Sequence, residues 1–193
     1  YTWVAAASGA TDNREYLYDN GGLFDTNIIA GDAGAPGDAG DDGSDAGIYS
    51  DITVDAAGRP VVGYYDTANA TLRLTRATTT DPVNHGSTGG DWVDQEVLAN
   101  FSYTGKYPSV RVDPTGRIHI TAYKVSTGDL MYYSAPDPGA GNAYAFDTFT
   151  QVDADGNMGA YADMDLFHDP VDGTYGNGDD VYRPMIGYLD SSN

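Results

Sequence analysis

Two short stretches of the chain combine oxygen-bearing side chains with glycine, as calcium-binding loops do. The first is the turn Asp153-Ala-Asp-Gly-Asn157, in which Asp153, Asp155 and Asn157 stand at alternate positions. A hard cation takes roughly six to eight oxygen ligands, and a tight turn can gather several of them. The turn is not an EF-hand, because its glycine comes too early and Met164 occupies the twelfth position. Two interpretations stay open, a calcium site and a plain turn between strands.

The second stretch is an acidic segment between residues 169 and 180. Its candidate ligands are Asp169, Asp172, Asp179 and Asp180. The segment is an insertion relative to two similar parts of the chain, and insertions in repeats often carry binding functions. The alternative is an ordinary surface loop. Calcium is therefore the one cofactor that the sequence suggests, and neither stretch assigns it uniquely.

A third set of candidate residues occurs in a phrase that the chain repeats three times. Each copy pairs a tyrosine with a small polar residue two positions later. The pairs are Tyr49 with Asp51, Tyr107 with Ser109, and Tyr161 with Asp163. Such a ring of tyrosines and polar groups could bind a sugar or an ion, and paired carboxylates can hydrolyse glycosides. The alternative is a hydrated channel with a structural role only.

The remaining reactive side chains give no catalytic pattern. His85, His119 and His168 share no metal-binding spacing, and no G-x-S-x-G motif is present. The chain has no cysteine, which excludes disulfides and thiolate metal sites. We therefore assign no catalytic residue from the sequence.

These candidates must be positioned by a repeated structural unit. The phrase RPVVGYYDT at 59–67 nearly recurs as RPMIGYLDS at 183–191, and RIHITAYKV begins at Arg117. An upstream phrase starts at Tyr49, recurs 58 residues later and again 54 residues after that. A period in the fifties indicates a repeated supersecondary unit.

Each complete unit predicts four short antiparallel strands, named A to D, with almost no helix. In the first unit the strands are Tyr49–Asp55, Arg59–Asp66, Thr71–Ala77 and Trp92–Leu98. In the second they are Tyr107–Asp113, Arg117–Lys124, Asp129–Ala135 and Tyr144–Val152. The C-terminal part supplies only strands A and B, at Tyr161–His168 and Val181–Asp190. Four-stranded units at this period predict an all-β fold, a β-propeller of antiparallel blades.

The chain divides into five predicted parts. They are a partial blade with strands B, C and D at 1–30, an acidic Gly/Asp-rich loop at 31–47, blades at 48–100 and 101–152, and a partial blade with strands A and B at 153–193. This makes a little over three blades, whereas closed propellers have about four to eight. We therefore expect an incomplete ring or part of a larger propeller, with the remaining blades supplied from elsewhere or by another subunit.

The repeated phrase Y-x-D/S-h-x-V-D-x-x-G-R-h-x-h-x-x-Y, in which h is apolar, resembles the repeats of sialidase-like and related secreted bacterial β-propellers. The resemblance covers roughly residues 47–193. It implies the fold and an extracellular setting. The S-x-D-x-G-x-T-W box of sialidases is absent, and their catalytic arginine cluster and Tyr/Glu pair have no counterpart that can be placed.

Charge narrows the function classes further. Nine Lys and Arg against 29 Asp and Glu give a net charge of −20, which argues against nucleic-acid partners. The sequence contains no apolar run of about 18 residues or more, so it predicts no membrane-spanning helix. We expect a non-catalytic extracellular or cell-surface module that binds a protein or glycan partner, or scaffolds a surface layer or extracellular filament. The alternative is a carbohydrate-active enzyme.

Overall fold

The computed structural model of the chain describes residues 48–66, 70–80, 91–97, 104–139, 141–176 and 180–192. Within these ranges every regular element is a β-strand, which confirms the predicted all-β class. The described part accordingly contains no helix that is long and apolar enough to cross a membrane. The partial blade predicted at 1–30 and the acidic loop at 31–47 lie outside the described residues.

In the described ranges, ten strands form three antiparallel sheets in chain order. The first sheet contains β1 (Ile48–Val54), β2 (Pro60–Asp66), β3 (Thr71–Ala77) and β4 (Trp92–Glu96). The second contains β5 (Thr104–Val112), β6 (Ile118–Lys124), β7 (Asp129–Ala135) and β8 (Thr148–Asp153). The third contains only β9 (Met158–Asp169) and β10 (Val181–Asp190). Each strand pairs with its sequence neighbour, as the repeat predicted.

The largest difference from the predicted strands is at β8. The sequence predicted a strand from Tyr144 to Val152, whereas the strand begins at Thr148. Tyr144 is buried instead, and its ring lies 5.0 Å from the guanidinium carbon of Arg76 in the first sheet. Residues 142–147 therefore run irregularly, because they fill the space between two sheets rather than extending an edge.

The repeated hairpin phrase D-x-x-G-R has a local explanation. Asp55 Oδ1 accepts hydrogen bonds from the backbone N–H groups of Ala57 and Arg59, both at 2.9 Å. In the second unit Asp113 Oδ1 accepts from Arg117 N at 3.0 Å. The glycine before each arginine has a positive φ, which other residues adopt at a cost. Each phrase thus encodes a hydrogen-bonded turn between strands A and B.

The core lies between successive sheets. Val61 of β2, Val110 of β5 and Ile120 of β6 are buried in one apolar cluster. Strand β5 packs against β1 and β2, and β9 packs against β5 and β6. The first strand of each unit therefore covers the first and second strands of the unit before it.

Close backbone approach recurs at the same place in both junctions. A Cβ on Gly105 of β5 would lie 2.7 Å from Leu72 Cα, and one on Gly159 of β9 would lie 2.9 Å from Leu130 Cα. Both glycines also have positive φ values, 129° and 98°. Only glycine allows the first strand of one unit to lie this near the third strand of the previous one.

Strand β10 does not match the burial of its counterparts. The equivalent second strands β2 and β6 are buried along most of their length. Along β10, exposed and half-buried residues alternate instead. The reason is its position, because no described strand of a following unit covers β10 as β5 covers β2 and β9 covers β6.

Candidate functional site

The three tyrosines predicted to be equivalent meet in space. The ring centroid of Tyr107 lies 4.4 Å from that of Tyr49 and 4.3 Å from that of Tyr161, with tilted rings. Tyr161, at the end of the row, is 67% exposed. The structure thus brings together the three tyrosines that the repeat makes equivalent, and ligand binding at them stays a prediction. Three strands from three sheets, β1, β5 and β9, build the cluster.

Each tyrosine has the same uncommon backbone conformation. The φ angles are 56° at Tyr49, 52° at Tyr107 and 54° at Tyr161, in the left-handed region that favours glycine. Each lies where the register of its hairpin shifts, as at a β-bulge. Such a conformation costs roughly 1–2 kcal/mol for a residue with a Cβ. The same local strain therefore occurs three times, at the positions whose rings contact each other.

The phenol of Tyr107 is set for hydrogen bonding rather than for ionisation. Burial raises its pKa well above the ordinary value, and hydrogen bonds with Tyr161 and Tyr49 raise it further. The neutral phenol is then the form present at physiological pH. A tyrosine in this state suits a structural or ligand-contacting role, because a nucleophilic tyrosine is activated by an adjacent general base or by a lowered pKa.

The polar partners of the tyrosines also come together. The Ser109 hydroxyl oxygen lies 3.2 Å from Asp51 Oδ2 and 3.3 Å from Asp163 Oδ1. Asp51 Oδ2 additionally accepts the Val110 N–H at 2.8 Å, and Ser109 Oγ accepts the Met164 N–H at 3.1 Å. One polar residue from each of the first two units, Asp51 and Ser109, thus binds the backbone of the next unit.

Arg111 completes this network, and the sequence reasoning did not identify it. Its guanidinium donates to Asp51 Oδ2 at 2.9 Å and to Asp163 Oδ1 at 3.4 Å. It also approaches Asp165 Oδ1 at 4.0 Å. The equivalent positions in the other two units hold Thr53 and Asp165. A residue-by-residue comparison of the repeats would therefore have shown that Arg111 is the one basic residue at this position.

An open cleft of about 430 Å³ lies beside the network. It is lined by Arg111, Asp163, Met164, Asp165, Met185 and Gly187. The cleft therefore combines a guanidinium, two carboxylates and apolar surface within reach of solvent. Its chemistry suits a polar ligand with hydroxyl groups, or a polypeptide segment with both apolar and polar contacts.

The first predicted calcium stretch forms a hydrogen-bonded turn. Asp153 Oδ1 accepts the Asp155 N–H at 3.0 Å, and Oδ2 accepts the Tyr188 hydroxyl at 2.6 Å. This Tyr188 hydrogen bond lowers the pKa of Asp153. Asn157 Oδ1 accepts the Tyr123 hydroxyl. Two of the three proposed ligands, Asp153 and Asn157, thus accept hydrogen bonds from protein donors, and the turn connects β10 to the second sheet.

The second predicted stretch distributes its acids among different partners. Asp169 pairs with Arg183 at 2.6 Å, Asp172 accepts the Thr174 N–H at 2.7 Å, and Asp180 lies 2.7 Å from His168 Nε2. Asp179 lies outside the described residues. Among the residues described, no group of three or more His, Cys, Asp or Glu side chains is arranged to hold a metal ion. Calcium binding stays a prediction.

A separate buried group surrounds His119 of β6. His119 Nδ1 lies 2.7 Å from the Tyr132 hydroxyl, and Nε2 lies 3.3 Å from Asp113 Oδ2. Burial opposes ionisation of Asp113, but hydrogen bonds from His119, Thr115 and Arg117 lower its pKa overall. Asp113 also accepts hydrogen bonds within the β5–β6 turn, so this buried group has a structural role in supporting that hairpin.

Comparisons of the chain with protein-family models, curated proteins and solved structures find no match.

Proposed function

We propose that the chain is a β-propeller-type domain that serves as a binding and scaffolding module of an extracellular or cell-surface protein. The observation that carries this proposal is the network around Arg111, which contacts Asp51 in the preceding unit and Asp163 in the following one. A side chain that joins the first strands of three consecutive units holds them in a fixed relative orientation. The high acidity, with a net charge of −20, suits an exposed protein that must remain dispersed.

Scaffolding accounts for the network better than catalysis does. The two carboxylates share one guanidinium and one serine hydroxyl, so neither is free to act independently as an acid or a nucleophile. A glycosidase needs one carboxyl with a raised pKa and another with a distinct role. The raised pKa of Tyr107 also disfavours the phenolate that would act as a nucleophile.

The stability of the network tests the proposal. We expect Arg111→Ala to lower the free energy of unfolding by about 2–3 kcal/mol, since it removes charge-assisted hydrogen bonds that are partly shielded from solvent. Arg183→Ala is the matched control, because Arg183 pairs with Asp169 inside a single hairpin and is more exposed. Its loss should cost below about 1 kcal/mol. Equal effects of the two substitutions would contradict a scaffolding role for Arg111.

A carbohydrate-active enzyme is the second candidate, and one observation favours it. Asp51 and Asp163 both lie within hydrogen-bonding distance of Ser109 Oγ, beside the exposed ring of Tyr161 and the open cleft. Aromatic rings and carboxylates are common sugar contacts in binding sites. Hydrolysis of chromogenic glycosides, including a sialoside, that disappears in Asp163→Asn would favour the enzyme. Saturable glycan binding without hydrolysis would favour a binding module.

The resemblance to sialidase-like secreted propellers and the incomplete number of strands support a larger assembly. Among the residues that the structure describes, the third sheet has two strands where the other two have four. We therefore propose that further blades, or another subunit, complete the structure, and that a protein or glycan at the cell surface is the partner. Calcium at the 153–157 turn or the 169–180 segment would raise the unfolding midpoint more than sodium at equal ionic strength.

A further inference from the structure

The two junctions inside the chain repeat one packing relationship. Val110 of β5 packs against Gly63 of β2 so closely that a Cβ on the glycine would lie 2.5 Å from Val110 Cγ2. Met164, the equivalent residue of β9, is buried to the same degree as Val110, and β9 packs on β6. In each case an apolar residue on the first strand of a unit is covered by the second strand of the unit before it.

Both halves of this relationship also occur unpaired at the ends of the described structure. Ile52 of β1 is the counterpart of Val110, yet it is 52% exposed, and Val54 is 58% exposed. At the other end, Gly187 of β10 is the counterpart of Gly63, but a Cβ there would meet nothing within 4 Å. Met185, two residues earlier on the same face, is 62% exposed. We call these surfaces the β1 face (Ile52, Val54) and the β10 face (Met185, Gly187).

We propose that a second copy of this chain docks its β1 face on the β10 face of the first, head to tail. The two surfaces differ from each other, so the contact is heterologous and leaves one face of each kind free at the ends of the pair. It would reproduce the packing of β5 on β2 and of β9 on β6. It would also cover the exposed apolar residues and the cleft beside Arg111.

The polar groups fit the same arrangement. In the first junction Val110 N donates to Asp51 Oδ2, so a carboxylate on the preceding unit receives the incoming backbone. Asp163 occupies the equivalent position at the open end, and its side chain is 83% exposed. In the docked pair it would receive Ile52 N of the second copy. The row of tyrosines would continue in the same way, with Tyr49 of the second copy placed beside Tyr161.

Charge determines the conditions under which the pair forms. Asp51 of the incoming copy would approach Asp163, with Arg111 nearby as partial compensation, and each chain carries a net charge of −20. Like-charge repulsion of this kind is screened by salt. We therefore expect weak association at low ionic strength and stronger association as salt is added.

Cysteine trapping tests the contact cleanly, because the chain contains no cysteine. One chain carries Ile52→Cys, and a second chain with a tag of different mass carries Gly187→Cys. The calibration is Gly63→Cys with Val110→Cys in one chain, where the Cβ atoms would lie 3.9 Å apart. That distance falls within the disulfide range of about 3.5–4.5 Å, so the calibration pair should close within the monomer.

After mixing and mild oxidation, the mixed Ile52→Cys and Gly187→Cys dimer should exceed its statistical proportion relative to the two homodimers, and the excess should grow with salt. A mixed dimer at or below the statistical proportion would overturn the proposal. So would an intramolecular disulfide in a chain that carries both substitutions, since the chain would then close on itself.

Sedimentation velocity of the full wild-type chain provides a measurement without cysteines. Its sedimentation coefficient should rise with protein concentration at high salt, and Gly187→Trp should abolish the rise by filling the β10 face. Identical behaviour of the two proteins would refute the docking. The inference rests on the proposed scaffolding function, but the two are tested separately. Cysteine trapping measures contact between the β1 and β10 faces of two chains, whereas Arg111→Ala measures the stability of the junctions inside one chain.

Discussion

Arg76 provides a sharp test of how the first two sheets are held together. Its side chain lies on β3 and is almost completely buried, and it crosses the junction to the irregular segment that precedes β8. The guanidinium donates to the carbonyl oxygens of Gly139 at 2.6 Å and Asn142 at 3.0 Å. It also lies 3.3 Å from Asp137 and above the Tyr144 ring.

The effect of Arg76→Met can be derived from these contacts. Methionine retains much of the apolar volume but removes two charge-assisted hydrogen bonds, each contributing about 1.5–3 kcal/mol. Solvent can hydrate the two carbonyl groups again, because Gly139 and Asn142 are exposed. The ion pair adds little, since the Asp137 side chain is 41% exposed and exposed pairs contribute below about 1 kcal/mol. We expect a net loss of about 3 kcal/mol.

Urea unfolding followed by circular dichroism measures this loss. With a slope of about 1–3 kcal/mol per molar urea, the midpoint should fall by about 1–3 M. Asp137→Asn is the matched control and should shift it much less. A loss below about 1 kcal/mol for Arg76→Met, or an equal loss for Asp137→Asn, would show that the carbonyl contacts do not hold the junction.

Three further predictions concern single sites. Tyr161→Gly should be about 1 kcal/mol more stable than Tyr161→Ala, because glycine relieves the left-handed backbone; equal urea midpoints would contradict the strain. Arg117 lowers the pKa of Asp147 from 3.8 to about 2, so the stability from this pair is present above about pH 4 and is lost as pH falls toward 2; thermal melts of Asp147→Asn should lack this loss. Val62→Asp should unfold the chain by burying an unpaired charge, whereas Val54→Asp, at an exposed position, should retain the native circular dichroism spectrum.

The sequence was sufficient to predict most of the described strands and to mark three tyrosines as equivalent. Alternating apolar residues and the repeated D-x-x-G-R phrase predicted strands and turns, because these depend on neighbours in the chain. The equivalence of Tyr49, Tyr107 and Tyr161 predicted a shared site, because repeated units place equivalent residues in equivalent surroundings.

The contacts between units could not be predicted in the same way. Arg111 was missed because its role depends on two acids more than 50 residues away on either side. The need for glycine at positions 105 and 159 depends on the backbone of a strand in the previous unit. The exposure of β10 depends on what lies beyond it, whereas its sequence is nearly that of the buried strand β2. The sequence of a single repeat therefore does not reveal how that repeat packs against its neighbours.

The position of Arg111 has a consequence for the order in which the chain folds. Synthesis proceeds from the N-terminus, so Asp51 is available when Arg111 emerges, whereas Asp163 follows 52 residues later. The first two sheets can therefore join before the third exists, and the guanidinium then already holds one carboxylate when the second arrives. The middle sheet contacts both of its neighbours, so it contributes most to the cooperativity of folding. Unfolding should accordingly begin at the two-stranded sheet and reach the middle sheet last.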